Sequence, residues 1–139
     1  MHIYKWDDSL RTQHVNVDQD NHEIVRKAQL LSNLITQQAE DKKIKEAAKS
    51  LENFVYDHFE KEEMMQMYSH FGNYDNHKRS HARFLKGLNR LIHEILSSPH
   101  DIELIPKLDR LITETYFNHI KEFDTEAARF IMQRDYYHN

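Results

Sequence analysis

At 139 residues the chain is the size of one domain, large enough to bury a core without disulfides or a structural metal. It contains no cysteine, which excludes disulfide scaffolds, zinc ribbons, iron–sulfur clusters and thiol nucleophiles. The formal charge is −4, with Lys and Arg spread along the chain, so there is no electrostatic footprint for nucleic acid or an acidic membrane.

The opening MHIYKWDDSL lacks a basic stretch followed by an apolar one, and no apolar run approaches the roughly 18 residues that span a bilayer, so a cytoplasmic protein is expected. Only two glycines and two prolines occur, which suits long helices and disfavours folds built on tight turns. No repeat or linker divides the chain, and residues 1–139 are read as a single domain.

After an arm carrying Trp6, Asp18 or Asp20 is placed to cap a first helix. Ile24, Ala28, Leu31, Leu34 and Ile35 recur along it at helical spacing, to about Ala39. A second and longest helix starts near Asp41 and carries Ile44, Ala47, Ala48, Leu51, Phe54, Val55, Phe59 and Met65, with Gly72 and Asn73 expected to break it. A third, from about Asn76 to Leu96, buries Phe84, Leu85, Leu88, Leu91, Ile92 and Ile95 and stops before Pro99. The fourth begins between Asp101 and Pro106, with Pro106 either in its first turn or at a kink, and carries Leu104, Leu108, Leu111, Ile112, Tyr116 and Ile120. The short connections predict an all-α, up-down-up-down antiparallel four-helix bundle with an N-terminal arm and a short C-terminal helix.

Polar residues interrupt these apolar stripes. There are 11 histidines, and burying an unpaired imidazole or carboxylate is costly. His58 and Glu62 are four apart, as are His77 and His81, which sets each pair about 40° apart on its helix. His22 lies on the first helix and His119 precedes Ile120 on the fourth, so all four helices offer a ligand-type side chain. His119 and Asp124 are five apart, about 140° on an α-helix. The helix is therefore expected to unwind after about Lys121, turning Asp124 inward and opening a short final helix through Ala127 to Gln133. Five imidazoles and two carboxylates exceed a tetrahedral zinc site and suit two octahedral or near-octahedral iron ions. If both carboxylates and a solvent oxide or hydroxide bridge the ions, one iron is six-coordinate and the other keeps an open position. His2, His14, His70, His93, His100 and His138 complete no further ligand set, and Met64, Met65 and Met67 read as core or surface.

The order of these motifs, His22, His58 to Glu62, His77 to His81 and His119 to Asp124, resembles the hemerythrin family, in particular its single-domain bacterial members. KWDDSL, VDQDNH, HFEKEEMM, HKRSHARF and HIKEFD also resemble family segments. The resemblance implies that His77, His81 and His119 hold the six-coordinate iron, His22 and His58 hold the other, and Glu62 and Asp124 bridge. It further implies O2 binding at the open iron, without turnover, for storage, delivery or sensing. The alternatives are a di-iron redox enzyme acting on hydrogen peroxide or nitric oxide, and an iron-handling protein. No protein partner is named by the sequence.

The family commonly has Trp-Leu four and three residues before its fourth-helix histidine, where this chain has Thr115 and Tyr116. Tyr116 either points at the open iron, as a residue of the ligand pocket, or packs with its hydroxyl reaching the surface.

Overall fold

Val17, Asn21, Ile24, Ala28, Leu31 and Ile35 alternate steps of four and three. In the computed structural model, which describes residues 4–138 and side chains as far as residue 134, they form the buried face of α1 (Val15–Thr36). The cap is His14, whose Nδ1 accepts from Val17 N at 3.4 Å, and neither Asp18 nor Asp20. Asp18 instead turns back on the arm, accepting from Thr12 N, Thr12 Oγ1 and Gln13 N at 2.9, 2.7 and 3.1 Å. That grip holds Gln13 in the left-handed region, at φ 74°, and fixes the approach of the arm to the helix.

Helix α2 spans Asp41–Tyr68 and α3 spans Tyr74–Ser97. Helices α1 and α2 end on the same device. Gln38 and His70 take φ of 53° and 57°, which lets each chain fold back on its own last turn. Gln38 N donates to Ile35 O and Ala39 N to Leu34 O, both at 3.0 Å; His70 N donates to Met67 O at 3.2 Å and Phe71 N to Gln66 O at 3.0 Å. This double closure satisfies carbonyls that the helix ends would leave open. It stops α1 at Thr36, short of the expected Ala39, and α2 before the expected breaker Gly72, whose φ is not positive.

The fourth helical run is where sequence and structure part. It opens as α4 (Leu104–Arg110), with Pro106 in the first turn, where its missing N–H costs no bond. It then winds as a π-helix over Leu111–Tyr116, makes one α turn, α5 (Phe117–His119), winds as π again over Ile120–Asp124, and continues as α6 (Thr125–His138). Backbone angles stay helical at every junction, for instance φ −59° and ψ −41° at Leu111 and φ −63° and ψ −45° at Thr125. The expected unwinding after Lys121 is therefore corrected: the helix widens instead, and the final segment continues it. A buried stripe explains the widening. Leu104, Leu108, Ile112, Tyr116, Ile120, Asp124 and Ala128 are all buried and spaced four apart. On a pure α-helix each such step slips about 40°, so the stripe would wander most of the way round. Two stretches of i→i+5 bonding enlarge the turn and keep it facing the core.

Helix α1 packs on α2 and α2 on α3, while the fourth run touches both α1 and α3. One apolar cluster fills the space between them, from Leu10 in the arm through Ile24, Leu51, Leu88 and Leu108 to Ile120. The described residues contain no strand, and no helix among them is long and apolar enough to cross a membrane.

The exposed His70 holds a left-handed conformation that glycine adopts without steric cost. His70→Gly is expected to raise stability by about 1 kcal/mol in urea unfolding; an unchanged midpoint would mean that this turn is not strained.

Candidate metal centre

The π turn decides what the fourth run can offer. With i→i+5 bonding over Ile120–Asp124, residues five apart stand one above the other, so His119 and Asp124 share a face without a break in the helix. They meet Glu62 from α2 and His77 and His81 from α3. Ligand atoms of these five buried residues all lie within 4.8 Å of one another.

The spacing fits an ion. Donors held at about 2.1 Å from one cation lie about 3 Å apart when adjacent and about 4.2 Å when opposite. Here His77 Nε2 and His119 Nε2 are 3.0 and 3.1 Å from Asp124 Oδ1, and His81 Nε2 and His77 Nε2 are 3.1 and 3.9 Å from Glu62 Oε1. His58 Nε2 stands 3.3 Å from the same Glu62 oxygen. His58 Nε2 and His119 Nε2 are buried beside these oxygens but out of line for a hydrogen bond to them, a costly state that a bound cation would relieve.

Every one of these imidazoles is also held from behind. Nδ1 of His58 lies 3.0 Å from Asp20 Oδ2, that of His81 2.9 Å from Glu63 Oε2, and that of His119 2.6 Å from Ser80 Oγ. Nδ1 of His77 faces the Gln66 amide at 2.8 Å, while Gln66 Oε1 has no partner. A half-turn of that amide would let Nδ1–H donate to Oε1 and leave Nε2 free for metal. Outward Nδ1 and inward Nε2 is the orientation that fixes an imidazole as a ligand. Phe59 stacks on His81 at 3.8 Å, and Phe123 lies against His77 and His119, so the walls are aromatic as well as polar.

The structure does not bring His22 to the centre. The inward face of α1 runs through Val17, Asn21, Ile24 and Ala28, and one residue further is about 100° round the helix. His22 is therefore exposed and meets Trp6 edge-on at 5.4 Å. Asn21 takes the inward place: its Nδ2 donates to Asp124 Oδ2 at 3.0 Å, and its Oδ1 accepts from the Tyr116 hydroxyl. Tyr116 is thus wholly buried and linked to Asp124 through Asn21, which excludes the reading in which its hydroxyl reaches the surface. Asn21, Asp20, Glu63, Gln66 and Ser80 were not singled out by the motif spacing. A signal was there for Asn21, three residues before Ile24 on the apolar stripe.

The other histidines stay apart. His14 caps α1, His70 closes α2 and His100 donates to Ala39 O at 2.8 Å, whereas His2 and the side chain of His138 lie outside the described residues.

Two carboxylates this close and this dry need positive charge. Burial alone would push Asp124 up, but His119 and His77 outweigh it and hold its pKa well below the usual carboxylate range. Burial and Asp124 both act to raise Glu62, yet His58 and His81 bring it down. In return, burial would lower His58, but Glu62, Asp20 and Asp124 push it up to about 10; Glu62 and Glu63 likewise raise His81. Without metal, protonated imidazoles stand in for cations. Because the folded pKa of His58 lies above its ordinary 6.5, the stability it adds is complete below that value and lost as pH climbs toward 10. Metal-stripped protein is therefore expected to melt lower at pH 10 than at pH 7, and metal-loaded protein to lose less over that interval; identical losses would place no extra proton on the stripped centre.

The model of the hemerythrin HHE cation-binding domain matches residues 12–131. No curated protein and no solved structure matches the chain. With that match covering most of its length and a buried His, Glu and Asp cluster spaced to take a cation, the chain belongs to the hemerythrin family.

Proposed function

We propose that this protein is a non-haem iron protein that binds O2, or a related small ligand, at a vacant metal position beside His58. The proposal takes residues 1–139 as a single domain and the helices as an up-down-up-down antiparallel bundle. His77, His81, His119, Glu62 and Asp124 would hold one iron, and His58 with the remaining oxygens of the two carboxylates would hold a second. The observation that carries it is the set of four buried imidazoles with Nε2 turned on two shared carboxylates and Nδ1 anchored outward.

Iron suits a donor set of nitrogen and oxygen with no sulfur and more than four ligands. Imidazole dominance favours the ferrous state over what a carboxylate-rich shell would support. Bound ferrous iron would supply the electrons that an oxygen-type ligand takes up. The protein supplies the setting. Phe59, backed by Phe84, covers His81, and Phe123 covers His77 and His119, keeping bulk water from that side of the centre. A cavity of about 650 Å³, lined in part by Asp20, Lys61, Met65 and Ile131, reaches His58 and Glu62 and offers a small molecule a way in.

A second reading, a redox enzyme acting on hydrogen peroxide or nitric oxide, is favoured by one feature. Burial, with Asp124 and Glu62, drives the Tyr116 pKa far above its ordinary 10, so the phenol keeps its proton and donates it to Asn21 Oδ1, in the chain that ends on Asp124. A polar group there favours proton-coupled loss of a bound oxygen ligand over stable carriage.

The test is an optical spectrum of anaerobic, Fe(II)-loaded protein before air, after air and after argon. A band that appears with air and vanishes with argon supports O2 binding. Immediate, permanent oxidation together with steady-state consumption of peroxide or nitric oxide would move the function to redox catalysis. In that case Tyr116→Phe is expected to slow turnover, and an unaltered rate would remove the phenol from the chemistry.

A further inference from the structure

We propose that the two metal positions of this centre are unequal: one ion is held tightly by His77, His81, His119, Glu62 and Asp124, and a second, at His58, is held only loosely because Asn21 occupies the place of a first-helix imidazole. This rests on the reading of the cluster as an iron centre and deepens it.

The inequality follows from a donor count. The first position has five protein donors, each with an atom in the tight group around Glu62 and Asp124. The second has His58 Nε2 and the remaining oxygens of the two carboxylates, and one of those is already engaged: Asp124 Oδ2 accepts from Asn21 Nδ2 at 3.0 Å. An amide N–H cannot ligate a cation. The amide also cannot readily turn to offer its oxygen. Turned over, it would set Oδ1 against Asp124 Oδ2, giving up the N–H donated there, and would face the Tyr116 hydroxyl with its own N–H, losing that donor. Tyr116, Asn21 and Asp124 thus form a chain in which the Tyr116 hydroxyl donates to Asn21 and the Asn21 amide to Asp124, so the first helix turns a bonded N–H rather than a ligand atom toward the second position.

His22 cannot replace the missing ligand. Bringing it inward requires α1 to rotate by about 100°, which would carry Asn21, Ile24, Ala28, Leu31 and Ile35 out of the core together. His58 is left alone among the imidazoles on that side, tied by Asp20 from behind. A cation there must complete its shell with water from the adjoining cavity. Loading is consequently sequential: one ion at limiting metal, two only in excess. Chemistry that needs both ions is then gated by metal supply.

The experiment uses the full chain, stripped of metal and titrated anaerobically with Fe(II), and separately with Zn(II) as a redox-silent probe. Calorimetry and metal retained after gel filtration are the readouts. The wild-type chain is expected to retain one equivalent, with a second bound at least 100-fold more weakly and lost on the column. His58→Ala is expected to keep the tight equivalent and lose the weak one, and His77→Ala to lose the tight one, with helical circular dichroism checking that each variant folds. Asn21→His is expected to retain two equivalents. Two equal tight equivalents in the wild-type chain, or loss of the tight ion in folded His58→Ala, would overturn the inequality while leaving an iron centre in place. A folded wild-type chain that retains no metal of either kind would overturn the iron reading as well.

Discussion

Glu62 and Asp124 lie side by side in the dry middle of the molecule, and the structure around them answers the cost of putting two carboxylates there. Neither could stay ionised against burial and its neighbour without compensation. Four imidazoles close round them from three helical runs, and each imidazole is held by a group that faces away from the centre. The outer partners follow the same helices: Ser80 lies one turn after His77, and Gln66 one turn after Glu62. Gln66 does two jobs, since its side chain meets His77 while its backbone carbonyl takes the Phe71 N–H that closes α2. The turn that ends the helix and the orientation of a ligand-type side chain are therefore one piece of structure.

Helix existence was legible throughout, because the apolar stripes of Ile24 to Ile35, Ile44 to Phe59 and Phe84 to Ile95 repeat at the α period. Helix ends were less so. Gly72 looked like the breaker of α2, yet His70 takes the left-handed turn, a position decided by backbone hydrogen bonds that composition does not reveal. The five-residue gap between His119 and Asp124 announced that the α-helix could not continue unchanged there. Its resolution as π winding was also written in the chain. Seven buried positions at steps of four, from Leu104 to Ala128, belong to no α-helical face, and only a wider turn keeps them on one side. A period read over four residues finds an α-helix; the same period followed over twenty-five finds the π segments.

The first helix shows the opposite failure. The family-like motif points to His22 as the ligand, whereas the apolar register points elsewhere: His22 falls two residues before Ile24, about 200° away, and Asn21 falls three before it, on the stripe. The structure follows the phase, with Asn21 buried against Asp124 and His22 exposed. Tyr116 illustrates the same rule from the other side. It sits four before Ile120 and four after Ile112, so its phase places it in the core whatever its hydroxyl prefers, and Asn21 is the partner that makes burial of that hydroxyl tolerable.

These two departures belong together. A phenol buried beside carboxylates needs an acceptor within reach, and an asparagine beside an ionised aspartate needs an acceptor for its amide and a donor for its oxygen. Tyr116, Asn21 and Asp124 satisfy one another, which neither polar residue could manage beside an apolar neighbour. A histidine at position 21 would break the chain of bonds if its free nitrogen turned to a metal, leaving the Tyr116 hydroxyl to find another acceptor in a closed pocket. Asparagine at 21 and tyrosine at 116 therefore act as a unit, and the unit sets the character of the centre: full on the side of His77, His81 and His119, sparse and polar on the side of His58, where the cavity arrives.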